Sequence, residues 1–194
     1  MAYNITLEGK NIVIAERMLK NVATIFNQCH IDYWIEGGTL LGIKRENRLL
    51  PWDNDVDMSI NHDQLDKLDH FCSELKKAGY RVRTRHFDET SEFFTKDNIR
   101  MIKLREKRFF GLLKGAVCLD VFIKYQHGQN SYWEIDDKTK FVPSKFYRTF
   151  KHITFKDFDY KIPSLIDEYL TYRYGDWQKQ VKNWDTSKDD NAIA

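Results

Sequence analysis

The 194-residue chain is sparing with the residues that staple or loosen a fold. Cysteine occurs three times, at Cys29, Cys72 and Cys118. An odd number with no CxxC pair excludes a disulfide framework, and the expectation is reduced, buried thiols in a cytoplasmic protein. The three prolines, Pro51, Pro143 and Pro163, lie far apart. No Pro/Gly/Ser-rich linker divides the chain, which reads as one domain. No run of 18 apolar residues exists, so no membrane span is expected. The first ten residues are polar and show no leader pattern. No sign of charge dominates either: 31 basic against 29 acidic residues gives a net charge of +2. That excludes a dominant field for nucleic acid or membrane, apart from a basic stretch at Lys103–Lys114. What the chain does hold is aromatic side chains, 14% of the total, within an ordinary 42% apolar and 31% charged composition. A chain of this size can bury a sizeable core unaided.

Periodicity supplies the elements. Ile12, Ala15, Met18, Leu19, Val22, Ile25, Phe26 and Cys29 recur at three- and four-residue steps, which predicts an amphipathic helix of about five turns. Tyr33–Glu36 reads as a short strand broken by Gly37-Gly38, with Thr39 placed to cap a helix over Leu40–Lys44. Asp55–Ile60 is the next strand. Asn61 and Gln64 have the spacing of a capping box ahead of the stripe Leu65, Leu68, Phe71, Cys72, Leu75 and Ala78, which Gly79 closes. Further strands are predicted at Tyr80–Arg85, Ile99–Leu104 and Val117–Ile123, the last two joined through 109–115. A helix is predicted to start at Pro163 and to close at Gly175. Helices flanking a partly sequential sheet make an α+β fold, a mixed β-sheet with a short helical C-terminal extension. The domain is expected to span 1–184, with 185–194 a frayed polar tail.

The chemistry concentrates in Pro51-Trp-Asp-Asn-Asp-Val-Asp57. On a strand, residues two apart share a face, so Asp55 and Asp57 project together while Val56 and Met58 enter the core. Two adjacent carboxylates repel, and a hard divalent cation, Mg²⁺ or Mn²⁺, would relieve them. Asp120 interrupts an otherwise apolar strand, and a buried carboxylate needs a partner. If its strand neighbours Asp55–Ile60, it completes a three-carboxylate site able to act on a phosphate chain. Asp53 reads as a residue of the entering loop. A DxD pair also occurs in caps and surface loops. Gly38 and Thr39 lead into a helix N-terminus, which favours an anion, though the same tripeptide makes a plain strand-to-helix turn. Gly42 permits a close approach. Arg45 can grip a phosphate by two hydrogen bonds. Lys103 either reaches a phosphate or is an edge lysine, and Trp52 either stacks on a base or packs its loop.

These residues carry a resemblance. Gly37-Gly38-Thr39, Asp55-Val56-Asp57-Met58 and Asp120 resemble the nucleotidyltransferase-fold pattern. More narrowly, Gly38-Thr-Leu-Leu-Gly42, Arg45, Leu50-Pro-Trp-Asp-Asn-Asp-Val-Asp57, Leu119-Asp-Val-Phe122 and Tyr174-Gly-Asp-Trp177 resemble the LicD family, to which fukutin and fukutin-related protein are related. Asn54 departs from the pattern, standing where many relatives have another aspartate. The resemblance implies a metal-dependent transfer of a phospho-alcohol group, such as phosphocholine or ribitol phosphate, from a CDP-linked donor to a hydroxyl of a sugar or glycan. It implies Asp55 and Asp57 as metal ligands, with Asp120 as the third ligand or the base. Gly38, Thr39 and Arg45 would hold phosphate, with Trp52, Asp53 and Lys103 lining the substrate. A strict nucleotidyltransferase using a nucleoside triphosphate is the main alternative. A DxD glycosyltransferase and a non-catalytic module of the same fold are two others.

Overall fold

The computed structural model describes residues 4–135, 138–182 and 184–194. Helix α1 (Lys10–Gln28) leads into strand β1 (Tyr33–Ile35), helix α2 (Gly37–Glu46) and strand β2 (Val56–Asn61). A 3₁₀ turn precedes α3 (Leu68–Lys77), followed by β3 (Tyr80–His86), β4 (Ile99–Arg108) and the short β5 (Leu113–Lys114). The chain continues as β6 (Leu119–His127), β7 (Asn130–Ile135), β8 (Lys138–Pro143), β9 (Phe150–Phe155), β10 (Phe158–Pro163) and α4 (Ile166–Tyr174). The main sheet runs β1-β2-β6-β4-β3, with β5 on the end of β4 and β7–β8 extending from β6. Within that order only β2 and β6 are parallel; the hairpin β9–β10 forms a separate two-stranded sheet. The fold is α+β, a large mixed sheet with helices against it, as its alternating periodicities predict.

Register divides the sheet into two faces. Val82, Leu104, Leu119 and Val56 are aligned across four strands, on the side that meets α1 through Tyr80–Asn21 and Glu106–Arg17 contacts. Val56, Met58, Ile60, Val121, Ile123, Ile102 and Leu104 are wholly buried there. Residues one step along each strand face the other way, and that second face carries the polar side chains.

The structure adds strands β7 to β10, which the sequence reading does not predict, runs β4 to Arg108 and β6 from Leu119 to His127, and differs from the sequence-based expectations in four further places. Helix α2 begins at Gly37 rather than Leu40, with Glu36 as its N-cap, so Thr39 lies inside the first turn. Asn61 makes no side-chain cap; Gln64 instead closes a two-way bridge with the backbone of Asp32, and α3 starts only at Leu68. Pro163 ends β10, and α4 begins three residues later, stopping at Gly175. Residues 185–194, expected to fray on composition, lie against β8 and α4. Asp190 and Ala192 are buried, and Ile193 bridges to Lys140. Composition misleads here because the segment's carboxylate meets buried cations from elsewhere in the fold.

Candidate active site

The second face places Asp57, Asp120, Lys103 and Arg83 in one row, each the register partner of the next across β2, β6, β4 and β3. Strands lie about 4.8 Å apart, so the row spans about 14 Å and changes sign at its middle. Asp53 and Asp55, just before β2, join the acidic end. All six side chains line one cavity of about 1470 Å³, enough for two substrates together.

Burial and mutual repulsion shape the acidic end. Burial pushes the Asp53 carboxyl up to about 6, although the Asn54 amide donates to its Oδ1 at 2.9 Å. Burial raises Asp55 well above the usual carboxylate range, helped by the charges of Asp53 and Asp120. Burial raises Asp57 likewise, followed by the charges of Asp55, Asp53, Asp120 and Glu36. Asp120, buried on the neighbouring strand, accepts from Lys103 Nζ at 2.6 Å and from the Cys118 thiol at 3.2 Å.

The Gly37-Gly38 turn exists to admit these carboxylates. Gly37 has a left-handed φ of +57°, and a Cβ there would stand 2.4 Å from Asp57 Oδ2. A Cβ on Gly38 would stand 2.0 Å from Asp53 Oδ2. Neither distance is tolerable, so any larger residue would evict a carboxylate. Thr39 is buried and supports the same arrangement from behind: its Oγ1 accepts the Asp57 amide at 2.9 Å. It does not line the cavity. Gly42 admits the returning chain, because a Cβ there would lie 2.6 Å from the Arg48 carbonyl oxygen.

Other predicted residues are placed as follows. Arg45 lines the cavity, but its guanidinium donates twice to Glu46 Oε1 and once to the Trp177 carbonyl, at 2.7–3.1 Å. Its fork is engaged within the protein. Trp52 lines the cavity and has Lys182 Nζ 5.5 Å from its ring centre. Lys103 belongs to an inner strand and is bonded to Asp120, so it is not an edge lysine. Asp53 is inside the carboxylate group as well as on the entering loop.

Sequence reasoning did not single out the buried network beneath the turn. Glu36 accepts from Trp34 Nε1 at 2.8 Å, Ser59 Oγ at 3.0 Å and Arg173 Nη1 at 2.9 Å, and from the hydroxyls of Tyr147 and Tyr169. Lys124 Nζ lies 3.5 Å from Glu36 and 3.4 Å from the Trp133 ring centre. Arg173 continues the network to Asp190, which Lys140 also holds at 2.8 Å. Lys124 carried a legible signal, since it follows Asp120 by four residues on the same apolar strand. Arg173 and Asp190 carried none.

The donor set at the acidic end is all carboxylate oxygen, which suits a hard divalent cation. Among the described residues no three His, Cys, Asp or Glu side chains already stand together as a finished metal cage. Asp55, Asp57 and Asp120 are the side chains that could close on one.

The model of the LicD/FKTN/FKRP nucleotidyltransferase domain matches residues 30–164. An uncharacterized protein of Rickettsia prowazekii is 24% identical over 180 residues, covering 92% of this chain and 58% of that protein. Human ribitol-5-phosphate transferase FKTN is 27% identical over 177 residues, covering 88% of this chain and 34% of that protein. Human ribitol 5-phosphate transferase FKRP is 35% identical over 68 residues, 34% of this chain and 13% of that protein. The chain thus spans under two thirds of each of these relatives. A solved structure of ANT(2")-Ia with adenylyl-2"-tobramycin aligns with a TM-score of 0.47 at 14% identity, covering 88% of this chain and 81% of that one.

Proposed function

The chain belongs to the LicD/FKTN/FKRP family, and on that premise we propose that it moves a phospho-alcohol group from a CDP-linked donor to a hydroxyl of a sugar or glycan. Phosphocholine and ribitol phosphate are the head groups to test first; FKTN and FKRP are named for ribitol 5-phosphate transfer. The observation that carries the reading is the row Asp57–Asp120–Lys103–Arg83, with Asp53 and Asp55 at its acidic end and the Gly37-Gly38 turn against it. Four crowded carboxylates at the mouth of a helix are poor core packing and good phosphate machinery. In this reading Asp55 and Asp57 would hold Mg²⁺ or Mn²⁺, with Asp120 as either the third ligand or the base, and the ion would supply neutralisation of charge on the diphosphate.

The remaining work falls to the chain itself. The first-turn amides of α2, which lack intrahelical acceptors, would serve the phosphates at Gly37 and Gly38, the residues of that turn that line the cavity, with Thr39 supporting Asp57 from behind. Lys103 and Arg83 draw negative charge toward the centre of the row. Asp120 stands beside the reacting centre and can accept the acceptor hydroxyl's proton as its oxygen bonds to phosphorus. The bond from that phosphorus to the bridging oxygen breaks, and cytidine monophosphate leaves. Such a transfer is mostly positioning and electrostatics, which a rigid sheet face supplies. Three buried, free cysteines suit a reducing compartment such as the cytoplasm.

The test is to incubate the protein and Mg²⁺ with CDP-choline or CDP-ribitol and a glycan mixture, and in parallel with nucleoside triphosphates. Release of cytidine monophosphate is expected. Pyrophosphate release instead would make it a strict nucleotidyltransferase, which the same carboxylates could serve.

A further inference from the structure

Among the described residues, seven large apolar side chains are exposed, and four of them lie within five positions. Phe109 is 69% exposed, Phe110 fully, Leu112 82% and Leu113 54%. They form the tip between β4 and β5, where a 3₁₀ turn projects from the sheet. Phe109 and Phe110 both adopt left-handed φ, +48° and +55°. Bulky aromatic residues rarely accept that conformation, which Asn or Gly would adopt without strain. The tip therefore bears two costs at once, backbone strain and exposed apolar surface, and turning the chain requires neither. Concentrated apolar exposure of this kind marks a surface that is covered in use.

The charges around the tip say by what. Lys107, Arg108 and Lys114 flank it, and no Asp or Glu occurs from Lys107 to Leu119. Exposed apolar side chains set among cations, with no acid within the segment, match a phase that is apolar inside and anionic at its surface. We propose that the β4–β5 tip docks the protein on an anionic lipid bilayer, with Phe109, Phe110, Leu112 and Leu113 in the acyl–headgroup boundary and Arg108 and Lys114 on the headgroups. This is the arrangement of peripheral anchors that combine apolar burial with attraction to anionic lipid. No helix among the described residues is long and apolar enough to cross a membrane, so the contact is peripheral for this part of the chain. Leu112, Leu113 and Lys114 also line the large cavity, so the tip forms part of its wall.

Vesicle flotation tests the docking without donor or acceptor, so its failure is separate from failure of the proposed chemistry. The full chain is expected to float with phosphatidylcholine vesicles containing phosphatidylglycerol and to bind pure phosphatidylcholine weakly. The double variant F109N/F110N accepts the left-handed backbone, so its melting temperature should not fall. Its vesicle affinity should drop at least about tenfold, given two exposed aromatic rings. R108E/K114E should abolish the preference for anionic vesicles. The proposal is overturned if the wild-type chain fails to float with either vesicle, or if F109N/F110N floats as well as wild type. A wild-type dimer in sedimentation equilibrium that F109N/F110N loses would assign the tip to a second copy instead, and equally overturn it.

Discussion

Asp57 is half-buried where the charges of Asp53, Asp55, Asp120 and Glu36 converge. Such crowding costs stability, and the proposed reading gives it a functional purpose, so Asp57→Asn should separate the two. Turnover, read as cytidine monophosphate release, should fall by on the order of 10²–10³-fold or more. The melting temperature should hold or rise by a few degrees. A variant with wild-type turnover would contradict the role given to this carboxylate. Gly38→Ala should act on the same group by steric means: its Cβ would displace Asp53, costing about 1–3 kcal/mol and activity together, as a thermal melt and a rate assay would show. Lys124 offers a pH signature. Burial pushes its ammonium down to about 7 from an ordinary 10.5, and its Nζ has no hydrogen-bond partner among the described residues. The unfolded chain therefore binds more protons between those values, and stability should rise with pH across that window. Lys124→Met should remove the slope in urea melts at neutral and alkaline pH.

At the scale of elements, the segment after α4 closes the base of the site. Asp190 accepts from Arg173 Nε at 2.8 Å and from Lys140 Nζ at 2.8 Å. Burial alone would raise its pKa, but the Arg173 and Lys140 cations outweigh it and hold the carboxyl well below the usual range. A depressed carboxylate contributes stability that is complete above its unfolded value of about 4 and is lost as pH falls below that. Asp190→Asn should therefore flatten the acid limb of the stability curve below about pH 4, measured by urea titration at several pH values. Deleting residues 185–194 leaves Lys140 without its carboxylate and Arg173 with Glu36 alone, and should cost about 3–5 kcal/mol. An unchanged melt on truncation would mean the segment contributes nothing to the fold.

Across the whole molecule, what the sequence made legible follows its periodicities. The stripe from Ile12 to Cys29 gives α1, and the alternation in Asp55-Val-Asp-Met-Ser-Ile60 puts both aspartates on one face, because these signals are local. Asp120 was legible as an anomaly, a carboxylate within Val117–Ile123. Its pairing with Asp57 required the β2–β6 register, which local sequence does not encode. The functions of Thr39 and Arg45 were hidden for a related reason. A hydroxyl that accepts an amide 18 residues away, and a guanidinium held by Glu46 and Trp177, are tertiary facts. Residues beyond 164 lie outside the family match, yet Arg173 and Asp190 complete the network under Glu36. The central claim is that the carboxylate row is a donor site for CDP-linked compounds, and calorimetric titration tests it without knowledge of the acceptor. CDP-choline or CDP-ribitol with Mg²⁺ should bind the wild-type chain, and Asp57→Asn should lose that binding. Equal binding by Asp57→Asn, or binding of nucleoside triphosphates with none of either CDP-linked compound, would contradict it.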